Sequence, residues 1–182
     1  MLDSSPGTSA PISAHGRKST FRWLAVLPPL LAVLYVHRGW LGDPTGIVAG
    51  DLNFWGWLEG TQHWYWHIAN DVFRGIDPFS NNFKAFPDGN NHLLLHGNFG
   101  DALIAAPFQW VFTFPLSYNL AVLLFTALNV VGLYRLARVF SRGWLVPSLA
   151  SCLVVVHPYF VTQLEQGRLT QYLVGWAFLA LA

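Results

Sequence analysis

Charge is scarce in this chain. Asp, Glu, Lys and Arg make up 10% of its 182 residues, while 53% are hydrophobic. Soluble domains carry about 25% charged residues. So few charges cannot cover a water-exposed surface of this size, which argues against an ordinary soluble domain and for a bilayer as solvent. Cysteine is nearly missing: Cys152 stands alone inside an apolar run. That excludes a disulfide framework and a Cys-based metal site. The net charge is +1 and there is no basic stripe. Nothing in the sequence could track a phosphate backbone, so no nucleic-acid partner is expected.

What is present is a series of apolar runs. Residues 1–20 come first, rich in Ser, Pro, Gly and Thr. They cannot bury a core and read as a disordered cytoplasmic tail. The first apolar run, Phe21 to Val36, is bounded by Arg22 and by His37-Arg38. It lies at the short end of the about 17 to 25 residues that cross a bilayer. Residues 21–38 read as transmembrane helix 1. Arg22 and Arg38 snorkel, Trp23 and Trp40 suit the interfaces, and Pro28-Pro29 predicts a kink. A cleaved signal peptide is the alternative, but the tail is long for one and no small-x-small site follows Val36 directly. Further spans are expected over residues 116–140 and 144–161, the latter with Pro147 near its start and Pro158 near its end. Residues 169–182 read as the start of a fourth. Between loop and second span, residues 101–115 are too short to cross alone. Pro107 and Pro115 interrupt them, so an interfacial or re-entrant helix is expected. The sequence stops inside an apolar run at Leu179-Ala180-Leu181-Ala182, so it reads as the first part of a longer chain. The fold class expected is an all-α polytopic membrane protein with a long extracytoplasmic first loop.

Basic residues set the orientation. Arg17, Lys18 and Arg22 precede the first span, and Arg135, Arg138 and Arg142 join the next two. All six share one side if the loop is outside. Residues 39–100 and the adjoining Asp101 carry Asp43, Asp51, Glu59, Asp71, Asp77, Asp88 and Asp101 against only Arg74 and Lys84. Both halves of the pattern put the N-terminus in the cytoplasm.

The outer loop is where chemistry can sit. From Asp51 to Phe73, apolar Phe54, Leu58, Tyr65, Ile68 and Val72 recur at helical spacing beside Trp57 and Trp64. Glu59, His63, His67, Asn70 and Arg74 take other faces. That pattern predicts an amphipathic helix suited to the headgroup layer, weakened by Gly56 and Gly60. Turn-forming residues dominate from Gly75 to Asn91. Asp51 has two compatible readings. It can cap the helix, or serve as a carboxylate tuned as a general base at the aqueous boundary. His63, His67 and Asp71 are spaced four apart, as metal ligands can be, and His92 and His96 repeat the spacing. Trp64 and Trp66 crowd that site, and no Glu follows His63 as a zinc protease requires. No metal is expected there. After the third span, Arg168 can bind a lipid phosphate head group. Its alternative is a helix-surface pair with Glu165.

The layout resembles the bacterial GT-C-type glycosyltransferases, multi-span enzymes that use polyprenyl-phosphate sugars. Four features carry the resemblance. The first span is followed by a long outer loop holding Gly50-Asp51. Ile76-Asp77-Pro78-Phe79 through Phe86-Pro87-Asp88-Gly89-Asn90-Asn91 looks like a loop common in that family. Pro115-Leu116-Ser117-Tyr118-Asn119-Leu120 enters the second span, and Gly132-Leu133-Tyr134-Arg135-Leu136-Ala137-Arg138 leaves it. His157-Pro158-Tyr159 closes the third, then Gln166-Gly167-Arg168-Leu169-Thr170-Gln171 follows. The resemblance implies sugar transfer from a polyprenyl-phosphate donor to an extracytoplasmic acceptor at the bacterial inner membrane, without a cofactor. It implies Asp51 as catalytic base, and Arg168 is the candidate substrate-binding group. A non-enzymatic membrane protein, such as a transporter subunit or assembly factor, is the competing class. Against ion transport, the second and third spans offer only Thr126, Asn129, Ser148, Ser151 and Cys152.

Overall fold

The computed structural model describes residues 22–50, 55–77, 80–81, 90–91 and 99–182. Among these residues the regular structure is helical, apart from one antiparallel ladder with two residues in each strand. A 3-10 turn, Arg22–Ala25, leads into α1 (Leu27–Leu41), and α2 spans Trp55–Arg74. The ladder pairs β1 (Ser80–Asn81) with β2 (Asn90–Asn91), Ser80 opposite Asn91. Then come α3 (Phe99–Val111), α4 (Leu116–Phe140), α5 (Leu145–Val156), α6 (Pro158–Glu165), α7 (Leu169–Tyr172) and α8 (Gly175–Leu181).

Among the described residues, one helix is long and apolar enough to cross a membrane: α4, with 25 residues. At 1.5 Å per residue it is about 38 Å long. The pair α5 and α6 passes the same test together, but bends by 42° at the break. Pro158 causes the bend. It pushes His157 out of helical conformation, and His157 is extended at φ −64°, ψ 131°. Pro158 then starts α6 at a position where its missing N–H costs nothing. The His157 ring caps the new helix by accepting from the Tyr159 N–H at 3.2 Å.

The 15 residues of α1 are about 22 Å long, shorter than a hydrocarbon core of about 30 Å. Pro28 and Pro29 do not kink it midway as expected, because α1 starts at Leu27 and both prolines fall in its first turn. Pro29 lacks the N–H that would have bonded the carbonyl four residues back, at Ala25. Ser148 of α5 takes that place and donates its hydroxyl to Ala25 O at 2.6 Å. The starts of α1 and α5 are thereby tied side by side, and the two helices pack along each other.

Helix α4 is the hub, touching α3, α5, α7 and α8. Tyr118, Ala121, Val122 and Phe125 are fully buried on it. Helix α2 packs on α3, where Ala102, Ala105 and Ala106 make a small-residue face for Trp64, Tyr65 and Ile68. An amide pair, Gln62 Nε2 to Gln109 Oε1 at 3.0 Å, links the same helices. So does Trp110, whose indole donates to Ala69 O at 2.7 Å. The buried face of α2 is wider than its apolar stripe, for His67 and Asp71 are buried too. Helix α3 continues through Pro107 and ends at Val111.

Candidate functional site

The 42° bend opens a cleft. Helix α5 stays against α1, and α6 swings away from the end of α1. Two adjoining cavities fill the gap, of about 390 and 250 Å3, sharing Val36, Gly39, Val161 and Glu165. Tyr35, Arg38 and Val156 complete the larger one. The smaller reaches His37, Trp40, Ile47, Val48, Leu164 and Gly50, the residue before Asp51 in the chain. Arg38 and Glu165 are its charged groups, and among the described residues neither is in an ion pair. The Arg38 guanidinium lies 4.2 Å from the Tyr35 ring centroid and donates to Tyr35 O at 2.6 Å. A guanidinium has five N–H donors, so others remain for a ligand.

The cleft wall is held by a string of buried polar groups whose protons can be ordered. The Trp40 indole, which can only donate, gives its N–H to His37 Nδ1 at 3.2 Å. Nδ1 therefore carries no proton, and Nε2–H donates to Thr126 Oγ1 at 3.0 Å. Thr126 donates onward to Val122 O at 2.9 Å and accepts from the Tyr172 hydroxyl at 2.7 Å. Every proton in the string has an acceptor, so His37 is a neutral, fixed strut between α1, α4 and α7. Asn119 fixes the segment after α1. Its amide donates to Pro44 O at 2.8 Å and Ile47 O at 2.7 Å, and its oxygen accepts from the Ala49 N–H at 2.8 Å. Ile47, Val48 and Gly50 are thereby held at the cleft edge.

Asp51, the expected base, lies outside the described residues, as do His92 and His96. Arg168 is half-buried in a helix-ending turn. Gly167 takes the left-handed conformation at φ 69°. The Gly167 N–H bonds Leu164 O at 3.0 Å and the Arg168 N–H bonds Gln163 O at 2.9 Å. These two bonds are a Schellman motif, for which glycine is the favoured residue. The Thr61 hydroxyl donates to Gly167 O at 2.8 Å, tying the turn to α2.

His63, His67 and Asp71 share a face of α2, as their spacing implies. The His63 and His67 rings stack with centroids 6.2 Å apart, and His67 Nδ1 contacts Asp71 Oδ2. Among the described residues, no three His, Cys, Asp or Glu side chains group as a metal site. Nearby, burial pushes the Tyr65 phenol well above its usual value, and the Asp101 carboxylate and Tyr118 add to the effect. Tyr65 Oη and Tyr118 Oη make no hydrogen bond among the described residues.

Sequence reasoning missed Glu165 as a cleft residue and the inward role of His37. The second had a signal: Asn119, Thr126 and Asn129, seven and three residues apart, mark one polar stripe on α4 that needed partners. No protein family, curated protein or solved structure matches this chain.

Proposed function

We propose that the chain is a multi-pass protein of the bacterial inner membrane, its N-terminus cytoplasmic, that transfers a sugar from a polyprenyl-phosphate donor to an extracytoplasmic acceptor. Three features support the membrane placement. Helix α4 is long enough to span. The starts of α1 and α5 meet at the Ser148–Ala25 bond, so the two helices run parallel. That alignment requires one antiparallel crossing between them, which α4 supplies. It also gathers Arg22, Arg138 and Arg142 at one end, as the positive-inside rule asks.

The observation that carries the transfer reading is the cleft at the opposite end. It combines a cation, a carboxylate and apolar walls, and Gly50 lines it immediately before Asp51 in the chain. In this reading Asp51 takes the proton from an acceptor hydroxyl. The freed oxygen bonds the anomeric carbon as the bond from that carbon to the phosphate oxygen breaks. Polyprenyl phosphate leaves with the electron pair, configuration inverts, and Arg168 steadies the departing charge.

Two measurements test this. General-base catalysis contributes about 10^2 to 10^4-fold. Asp51→Asn is therefore expected to cut sugar transfer in membranes holding the protein by at least about 100-fold; unchanged transfer removes the base assignment. Asn90→Cys is expected to react with an impermeant maleimide in intact cells. Reaction only after lysis overturns the topology.

A further inference from the structure

We propose that the C-terminal end of α4 binds one anionic phospholipid of the cytoplasmic leaflet, with its phosphate on Arg135 and Arg142 and an acyl chain along the exposed stripe of the helix. The inference rests on the membrane placement above, and it needs neither the cleft nor Asp51.

The exposed positions of α4 make one line. Ala127, Val131, Arg135 and Arg138 follow at steps of four, four and three, which stacks them on one helix face. Val139 and Phe140 lie beside its end and are 59% and 83% exposed. The line is apolar first and cationic last. From Ala127 to Arg138 it rises about 16 Å. One leaflet contributes about 15 Å of hydrocarbon, half of a core of about 30 Å. The line therefore has the length and polarity of one lipid, with a chain against Ala127 and Val131 and a head at the arginines.

Of the three arginines at this end of α4, the fold uses one. A helix C-terminus favours cations near its unbonded carbonyls. Arg138 meets that need. Its Nη1 donates to Arg142 O at 2.8 Å and to Gly143 O at 3.0 Å, closing the turn between α4 and α5. Arg135 and Arg142 are exposed, and their side chains make no hydrogen bond or ion pair among the described residues. The chain has no Asp or Glu between Asp101 and Glu165, so no sequence neighbour offsets them. Two uncompensated guanidiniums at a hydrocarbon boundary select an anion, and their planar forks match phosphate. The apolar stripe beneath them makes that anion a lipid rather than a free phosphate. A zwitterionic head carries its own cation, which the arginines repel.

The experiment measures binding of tail-labelled phosphatidylglycerol and phosphatidylcholine to the purified full chain in neutral detergent, by fluorescence anisotropy. Glycerol phosphate is the competitor that carries the head without the chains. Each basic residue beside an anionic lipid is worth about fivefold in affinity, so wild type is expected to favour phosphatidylglycerol by about 30-fold at low salt. The preference shrinks at about 1 M salt, where screening reaches to about 3 Å. The double variant Arg135→Gln, Arg142→Gln removes no hydrogen bond of the fold. It is expected to bind phosphatidylglycerol about 30-fold more weakly, with phosphatidylcholine binding and melting temperature unchanged. Arg135→Lys with Arg142→Lys keeps both charges and retains most of the preference. Equal wild-type affinity for the two lipids overturns the site, and so does wild-type binding of phosphatidylglycerol by the double Gln variant. Displacement by glycerol phosphate at concentrations matching the lipid overturns the role of the chains. The Asn90→Cys labelling separates this inference from the topology. Labelling in intact cells without a lipid preference sinks the site alone. Labelling only after lysis with the preference intact sinks the topology, and the cytoplasmic leaflet with it.

Discussion

Asn129 offers the sharpest test of the architecture. It lies in the middle of α4, 1% exposed, facing the break between α7 and α8. Its amide donates to Tyr172 O at 2.7 Å, while its oxygen accepts from the Val174 N–H at 2.9 Å and the Gly175 N–H at 2.7 Å. Three backbone groups at the break are therefore bonded by one side chain, and two of them, the Val174 N–H and Tyr172 O, also bond each other at 3.1 Å. Polar contacts inside membrane bundles average about 0.6 kcal/mol and reach about 1.7. For three bonds the loss on Asn129→Ala is about 2 to 5 kcal/mol. Such a loss lowers the melting temperature of a chain this size by about 2 to 4 °C per kcal/mol. The assay is thermal unfolding in detergent followed by circular dichroism, with hydrogen exchange at residues 174 and 175. If Asn129→Ala costs less than about 1 kcal/mol, or if those two amides exchange as in wild type, the clamp does not hold the break.

Gly175→Ala should also destabilise, by about 1 to 3 kcal/mol. Its Cβ would come within 2.5 Å of Leu128 O and 2.8 Å of the Asn129 nitrogen, both backbone atoms that cannot step aside. An unchanged melting temperature would refute that close approach of α8 to α4. Tyr65→Phe should leave stability at neutral pH nearly unchanged, since the phenol has no hydrogen-bond partner among the described residues. Above pH 10 the two proteins diverge. The folded phenol ionises well above its usual value of 10.0, so the unfolded state loses its proton first and wild-type stability falls as pH rises. That slope, up to about 1.4 kcal/mol per pH unit, is missing from Tyr65→Phe. Equal alkaline unfolding midpoints would count against burial of the phenol.

The helical class was legible from composition and apolar runs, because both depend on local sequence. The break at Pro158 was not anticipated, since residues 144–161 read as one span, although its ring acts on its own neighbour whatever the rest of the chain does. The fate of Pro28-Pro29 was not legible either. Whether a proline kinks a helix or starts one depends on where the first turn forms, and Ser148, 123 residues from Ala25, helps set that. The His37–Thr126 contact bridges 89 residues and has no local signature beyond a histidine at the end of an apolar run. Arg168 read as a ligand for phosphate. The positive φ of its neighbour Gly167 adds a structural reason for that dipeptide which sequence spacing alone did not separate from function. The cleft was the least legible feature, because it is a gap made by the angle between two helices rather than by a motif.

The distribution of side chains bears on which solvent the chain meets. Along α4 the fully buried positions include Ser117, Asn119 and Thr126, and Asn129 is nearly so. On α1, Leu27, Leu30, Leu31 and Leu34 are 46 to 63% exposed, and on α5 Val146, Leu149 and Leu153 are 52 to 60% exposed. Water would select the reverse, since each large aliphatic side chain left exposed forgoes about 1.5 to 3 kcal/mol of burial. Scattered apolar residues on a soluble surface need no explanation, but contiguous stripes on two neighbouring helices do. Hydrocarbon removes that penalty and makes buried hydrogen-bonding side chains the useful ones, since no water competes for them. The same reasoning places Arg38 and Glu165. In the proposed membrane placement they belong where hydrocarbon ends, and Ser148 and Ala25 mark the opposite end of the same pair of helices. Under the proposed membrane placement, a cleft lined by Val36, Val156 and Val161 and by Arg38 and Glu165 sits at the interface.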